Sequence, residues 1–443
     1  MNPNAEFQPF SHEYSADDFY TVSTDAHLDA TPVDYHYAIE PDDLEDEQQE
    51  RDAVTQTMYA NGIDMQGIRW NKQGIAREAY REQRSKQYIN YLSLKKDDED
   101  DTIEHKIRTQ KLNTVRQHDV YYNFKFSKLS ERCSIGHFQL RNLLWATSKN
   151  YVYYTSNDCI RQWCPSLRQS RNVLDLTVAN IPGSLAVKIS SMACAHDILL
   201  VGGFMGEVVC KRLDDINSNM HYGRITDHTN GIANHIAIIP GKARGTKAII
   251  SSNDQHVRFM NLDTMAIETN LEFPFPVNCA SLAPDQQLLC IVGDSTETRI
   301  VDTCSRTTVI TLDEHHDFSF SCCWSPNGYT LATGNQDKTT RIYDIRNPSK
   351  ALHVLGAKIG AVRSLHFSNN GKYLAAAEPI DFVHIYETST FTSSQVIDMF
   401  GDIAGIAFTP DDESFYIANT DDRVGGLFEF QRRSSQFDAS LFY

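Results

Sequence analysis

The rhythm of hydrophobic and polar positions changes near residue 115. Downstream it has period two. Phe318, Phe320, Cys322 and Trp324 alternate with Ser319, Ser321 and Cys323, the pattern of a strand with one buried face. Ser325-Pro326-Asn327-Gly328 follows as a turn, where proline presets φ and glycine accepts a positive φ. A second strand is predicted over 329–333, a turn over 335–338 and a third strand over 340–344. The next stretch repeats the plan, with strands over 365–368, 373–377 and 382–387.

Two rulers give the repeat length. The turn pairs Pro284-Asp285, Pro326-Asn327, Asn369-Asn370 and Pro410-Asp411 begin 42, 43 and 41 residues apart. Arg258, Arg299, Arg341 and His384, each opening a short strand, are spaced 41, 42 and 43. Units of this size with four short strands are β-propeller blades, which bury both faces only by stacking around an axis. Third strands fall at 160–163, 208–211, 257–260, 298–302, 340–344, 383–387 and 427–430, which makes seven blades. The Tyr- and Phe-rich strand over 120–126 is expected to pair into the last blade and close the ring. The prediction is therefore an all-β, seven-bladed propeller over 115–432, with a short tail over 433–443.

Upstream the texture differs. Residues 61–114 form a pre-propeller segment with a proline-free stretch from Asn71 to Leu92 rich in helix formers. Ile75, Ala79, Ile89 and Leu92 are expected to supply the apolar face of a helix docked on the body, with Tyr80, Tyr88 and Tyr91 beside them. The run Asp97-Asp98-Glu99-Asp100-Asp101 reads as a mobile acidic loop. Residues 1–60 read as a disordered acidic tail, either an interaction tail or a solvating terminus.

Charge and composition narrow the function. Residues 1–50 hold 14 acidic and no basic side chains, so this stretch carries most of the net charge of −17. The remainder is nearly neutral and exerts no overall pull on a phosphate backbone. No apolar run of membrane-spanning length occurs, the N-terminus lacks a secretory pattern, and the 10 cysteines include no C-x-x-C pair. With no Asn-x-Ser/Thr acceptor, a cytoplasmic or nuclear location is expected.

The unit over 315–344 resembles a WD repeat, on His315, Asp317, Trp324-Ser325-Pro326-Asn327-Gly328, Asp337 and Arg341-Ile342-Tyr343-Asp344. The resemblance implies a buried bracing set of His, Ser/Thr, Asp and Trp. His315, Thr333 and Asp337 match it, and Tyr343 stands in for the Trp. A second likeness rests on Gly202-Gly203-Phe204-Met205-Gly206-Glu207, Phe273-Pro274-Phe275-Pro276-Val277-Asn278, Gly334-Asn335-Gln336-Asp337-Lys338-Thr339 and the stretch 377–384. It extends to Asp64-Met65-Gln66-Gly67-Ile68 and the arginine spacing of Arg77, Arg81 and Arg84. Here the chain is similar to a group of uncharacterised fungal and plant WD-repeat proteins described as transducin-like. The likeness implies the fold without naming an activity.

Catalytic signatures are missing: there is no G-x-S-x-G, H-E-x-x-H or G-x-x-x-x-G-K-[ST]. Gly202, Gly203 and Gly206 lie between two strands, the context of a hairpin rather than of a phosphate loop. His315, His316, Asp317, His353 and His366 lack a metal-ligand spacing. No cofactor, metal or membrane contact is expected, and a small-molecule substrate is not indicated. What remains is the disc face bearing the turns between second and third strands. Its expected binding residues are Phe204, Met205, Glu207, Asn253, Asp254, Asn335, Gln336, Glu378, Asp381 and Arg423. The reading is a non-catalytic scaffold or adaptor for a protein or peptide. A ubiquitin-ligase substrate receptor, an enzyme with a site on this face, and a chromatin or nucleic-acid binder using 69–86 are the alternatives.

Overall fold

A computed structural model describes residues 52–94, 100–177, 186–214, 220–241 and 245–433. Of the tail expected to be disordered over 1–60, residues 1–51 lie outside the described residues, whereas Ala53–Thr55 forms a strand and Gln56–Ala60 a helix. Of the acidic loop expected over 97–101, residues 97–99 lie outside them, and Asp100 and Asp101 open a helix. Most of the tail after 433 lies outside them too.

Blades 1 to 5 are four-stranded antiparallel sheets over 144–175, 189–224, 233–272, 277–312 and 319–356, each a simple meander. Blades 6 and 7 are continuous, because one long strand, Ser394–Phe408, belongs to both. Its first half pairs with Ile380–Glu387 as the outer strand of blade 6, and its second half pairs with Ser414–Asn419 as the inner strand of blade 7. Blade 7 is finished by Tyr122–Lys128, antiparallel to Gly426–Arg432. The strand that precedes blade 1 and the last strand of the ring therefore share one sheet, which closes the ring without an edge at the seam. The strand Ala53–Thr55 then adds a fifth strand to that blade.

The core lies between blades rather than within them. Ile198, Leu200 and Val208 of blade 2 pack with Ile236, Ala248 and Ile250 of blade 3. Phe126, Tyr416 and Leu427 of blade 7 pack with Leu144, Tyr154 and Trp163 of blade 1. In second strands such as Ile198–Gly203 and Leu288–Gly293 both faces are therefore buried, one against each neighbour, and they read as nearly continuous hydrophobic runs, whereas outer strands such as Ala266–Glu272 are largely exposed.

A polar latch recurs where the inner strands begin. Ser190 Oγ donates to the Ala233 carbonyl (2.8 Å), Asn234 Nδ2 to that of Val277 (3.0 Å) and Asn278 Nδ2 to that of Ser319 (3.1 Å). Each of these side chains sits at a register shift in its inner strand. Such a bulge turns one residue out of the alternation and aims it at the next blade.

Among the described residues, the segment before the ring contains three α-helices, α1 (Gln56–Ala60), α2 (Arg77–Gln87) and α3 (Asp100–Thr109). Helix α2 docks on the body by a face other than the expected apolar one. Ala79 is exposed and Ile89 is 73% exposed, whereas Arg84 is buried. Arg77, Arg81 and Arg84, spaced four and three residues apart, share the docked face. Carboxylates on the propeller explain the difference: an amphipathicity count made on the helix alone has no access to them.

Candidate functional site

In a four-stranded meander the turn between second and third strands emerges at the same end as the link to the next blade. Backbone bonds join the two: Gln336 N donates to Phe318 O, Asp294 N to Pro276 O and Thr420 N to Asp402 O. This end is the disc face on which the candidate residues were sought, and the chain itself covers part of it.

The segment 63–94 crosses the face from blade 7 to blade 5. Gln66 Nε2 donates to the carbonyls of Phe400 (2.6 Å) and Val424 (2.9 Å), and its Oε1 accepts from Phe400 N. The rings of Trp70 and Tyr80 enclose Phe400, with centroids 5.4 and 5.1 Å away. Arg84 straddles the Asp381 carboxylate (2.6 and 2.9 Å), and Arg81 Nη1 reaches the same group at 2.7 Å. Arg77 and Arg81 also bind Asp398. Over blade 5, Asn90 Nδ2 donates to Gln336 O, Gln336 Nε2 donates to Tyr91 O, and Ser93 N donates to Asp317.

These contacts divide the expected binding residues. Asp381 and Gln336 are buried beneath the chain's own segment and face no solvent. Glu378 is also buried: its carboxylate accepts from the consecutive N–H groups of Lys358, Ile359 and Gly360 and from His384 Nε2 at 2.8 Å. An anion nest is thereby filled by a residue of the fold. Asn335 holds its turn through Asp317 O and Ser319 Oγ, and Asp254 is gripped by Arg258 at 2.9 and 2.6 Å. Asn253 is half-buried and accepts from Asn234. The five carboxylate and amide residues Asp254, Asn335, Gln336, Glu378 and Asp381 are thus internal connectors here. For Asp381 the sequence shows no sign of this, because Arg81 and Arg84, the donors it satisfies, lie about 300 residues away.

Phe204, Met205 and Glu207 are half-buried on a sector that segment 63–94 does not reach, and Arg423 is exposed over blade 7. Glu207 accepts from Met205 N (2.7 Å), which holds the turn tight. The Phe204 ring lies 5.9 Å from His137, with Lys188 Nζ 5.0 Å over it. His137 stacks in turn on Phe138, which is 64% exposed. Burial, with Arg141, Arg363 and Lys188 nearby, pushes the His137 ring down to about 4, so it is neutral at physiological pH. Sequence reading missed His137, Phe138 and Lys188 because they lie in links between blades, outside the repeating turns.

The bracing set of blade 5 is present. His315 Nδ1 meets Asp337 Oδ2 at 3.0 Å and Nε2 meets Thr333 Oγ1 at 2.8 Å. Burial raises the Asp337 carboxyl, but His315, Thr339 and the His316 N–H outweigh it and hold the group at about 2. Tyr343 does not take the expected fourth place: its hydroxyl bonds to none of these three, and its ring packs with Trp324 and Leu331.

Comparison with known proteins agrees with this architecture. The family model for the WD domain, G-beta repeat, matches residues 306–344. An uncharacterized protein of Schizosaccharomyces pombe is 25% identical over 65% of this chain and 86% of its own length. WD repeat-containing protein VIP3 of Arabidopsis thaliana is 31% identical over 38% of this chain and 56% of its own. COMPASS component SWD3 of Saccharomyces cerevisiae is 32% identical over 25% of this chain and 34% of its own. Among solved structures, a chain of the Mitotic Checkpoint Complex covers 74% of this chain and 94% of its own, with a TM-score of 0.56 and 15% identity. That likeness concerns the fold alone.

Proposed function

Taking the chain as a seven-bladed β-propeller that carries a WD repeat, we propose that it is a non-catalytic scaffold holding a protein or peptide partner over blades 1 and 2. The observation that carries this reading is the occupied half of the face. Over blades 5 to 7 the propeller already holds a polypeptide segment by aromatic packing around Phe400 and by arginine–carboxylate pairs. Among the described residues no such segment lies over blades 1 and 2, which present a comparable set of groups: Phe138, Phe204 and Met205, rimmed by Lys188 and Arg224. Aromatic anchors within a charged rim are the usual anatomy of a protein interface. The name of one relative, a COMPASS component, is in keeping with a role in an assembly.

The test is affinity purification with cross-linking mass spectrometry from native extract, comparing wild type with a Phe138→Ala/Phe204→Ala variant of unchanged circular dichroism. The expected result is loss of a reproducible partner whose cross-links map to Lys188. Identical partners for both forms would remove the assignment to this sector.

A further inference from the structure

The inner strands place one residue each at the mouth of the axis. Ser190, Asn234, Asn278 and Phe320 occupy the register shifts of blades 2 to 5, and Arg363 follows at the same interval in blade 6. A guanidinium at this position is chemically out of series. Its plane lies over the Phe320 ring at 3.7 Å, and Nη2 donates to Gln336 Oε1 at 2.7 Å. Its Nε and Nη1 have no partner, although the residue is only 8% exposed. Among the described residues no carboxylate approaches within ion-pair distance. Asp317 lies nearby but is taken by the N–H groups of Ser93 and Phe318.

A second arginine joins it. Ser364 Oγ, next in sequence to Arg363, donates to the Arg141 carbonyl at 2.9 Å, which ties the two positions together. Arg141 is 7% exposed. It spends Nη1 on the carbonyls of His137 and Leu140, comes no nearer than 3.8 Å to Asp402, and leaves Nε unpartnered. Burial first, and then Arg141, pulls the Arg363 guanidinium down to about 9. Two buried like charges with unspent donors are a poor way to stabilise a fold, since replacing unpaired buried charge by apolar groups is commonly stabilising. They are a good way to recognise an oxyanion, because charge-assisted hydrogen bonds to guanidinium are among the strongest available.

We infer that Arg363 and Arg141 form an oxyanion-recognition site at the axial mouth of the disc face, taking a carboxylate or phosphate group. This goes beyond the scaffold reading and stands without an identified protein partner.

The experiment is thermal unfolding of the full chain titrated with inorganic phosphate or with glutarate, against sodium chloride at matched ionic strength. Wild type should gain in midpoint beyond the chloride control with one or both anions. A response to phosphate alone assigns the site to phosphate groups, and one to glutarate assigns it to carboxylates. Arg363→Met and Arg141→Met should each weaken the apparent affinity at least about tenfold, the loss of one charged hydrogen bond. Arg346→Met, an exposed arginine on another surface, should respond as wild type does. Without added anion, Arg363→Met should unfold no earlier than wild type. A wild type that responds only as it does to chloride, or an unchanged response in Arg363→Met, overturns the site. If Arg363→Met fails to fold, the wild-type titration and Arg363→Lys, which keeps the charge but not the planar fork, decide in the same way.

Discussion

Blades 5 to 7 and blades 1 to 4 are built on one plan but finished differently. Over blades 5 to 7 the chain's own N-terminal segment covers the face, then returns along the rim. Asn113 bonds Val354 at the edge of blade 5, Arg116 and His118 bridge to the outer strand of blade 6, and Ala53–Thr55 edges blade 7. Among the described residues, the outer strands of blades 1 to 4 pair with nothing further. Polar residues in equivalent turns therefore have different fates. Asp381 is a buried counter-ion, whereas Glu207 merely braces a surface hairpin. Position in the repeat does not by itself determine exposure: Asp381 is buried by the segment laid over it, and Glu378 by its own blade.

The sharpest way to break this contrast is to remove the shared counter-ion. Asp381→Ala removes the buried carboxylate that Arg84 straddles and that Arg81 shares with Asp398, and should cost about 3–5 kcal/mol in chemical denaturation. Hydrogen exchange should then quicken over 77–93 while blades 2 and 3 stay protected. A uniform change across the ring would contradict the division.

Glu378→Gln comes next. It keeps the shape but weakens four charge-assisted bonds, and should cost about 2–3 kcal/mol by the same measurement. Asp337 offers a similar effect with a pH signature. Its folded value of about 2 lies below the ordinary value near 4, so its contribution of about 2 kcal/mol is present above pH 4. That contribution drains as the pH falls toward 2. In Asp337→Asn this part of the acid destabilisation should vanish, read as a flatter midpoint between pH 4 and 2. The smallest effect belongs to the open half: Phe204→Ala should change stability by less than about 1 kcal/mol, since the ring is half-exposed and lies on a turn.

The architecture was legible because each blade repeats its turn chemistry. The pairs beginning at Pro284, Pro326, Asn369 and Pro410 mark one corner four times, and the Tyr-rich strand near 122 had no other sheet to join. His315, Thr333 and Asp337 were legible for the same reason. The covered face was not. Arg77, Arg81 and Arg84 show a helical stripe of charge, but their partners Asp381 and Asp398 lie about 300 residues away, and nothing local couples them. Arg363 carried a signal that aligning the inner strands would expose, a charge where the preceding blades have Ser, Asn, Asn and Phe.

The seam between Tyr122–Lys128 and Gly426–Arg432 also sets a schedule for the newborn chain. One half of that pairing leaves the ribosome about 300 residues before the other, at about 5–20 residues per second some 15–60 s earlier. Through that wait an aromatic strand has only Ala53–Thr55 to pair with, and the segment destined for the face has no platform, because its anchors Asp381, Asp398 and Phe400 are made about 300 residues later. Blades 2 to 4 can assemble as they emerge, whereas the covered half must form late and together.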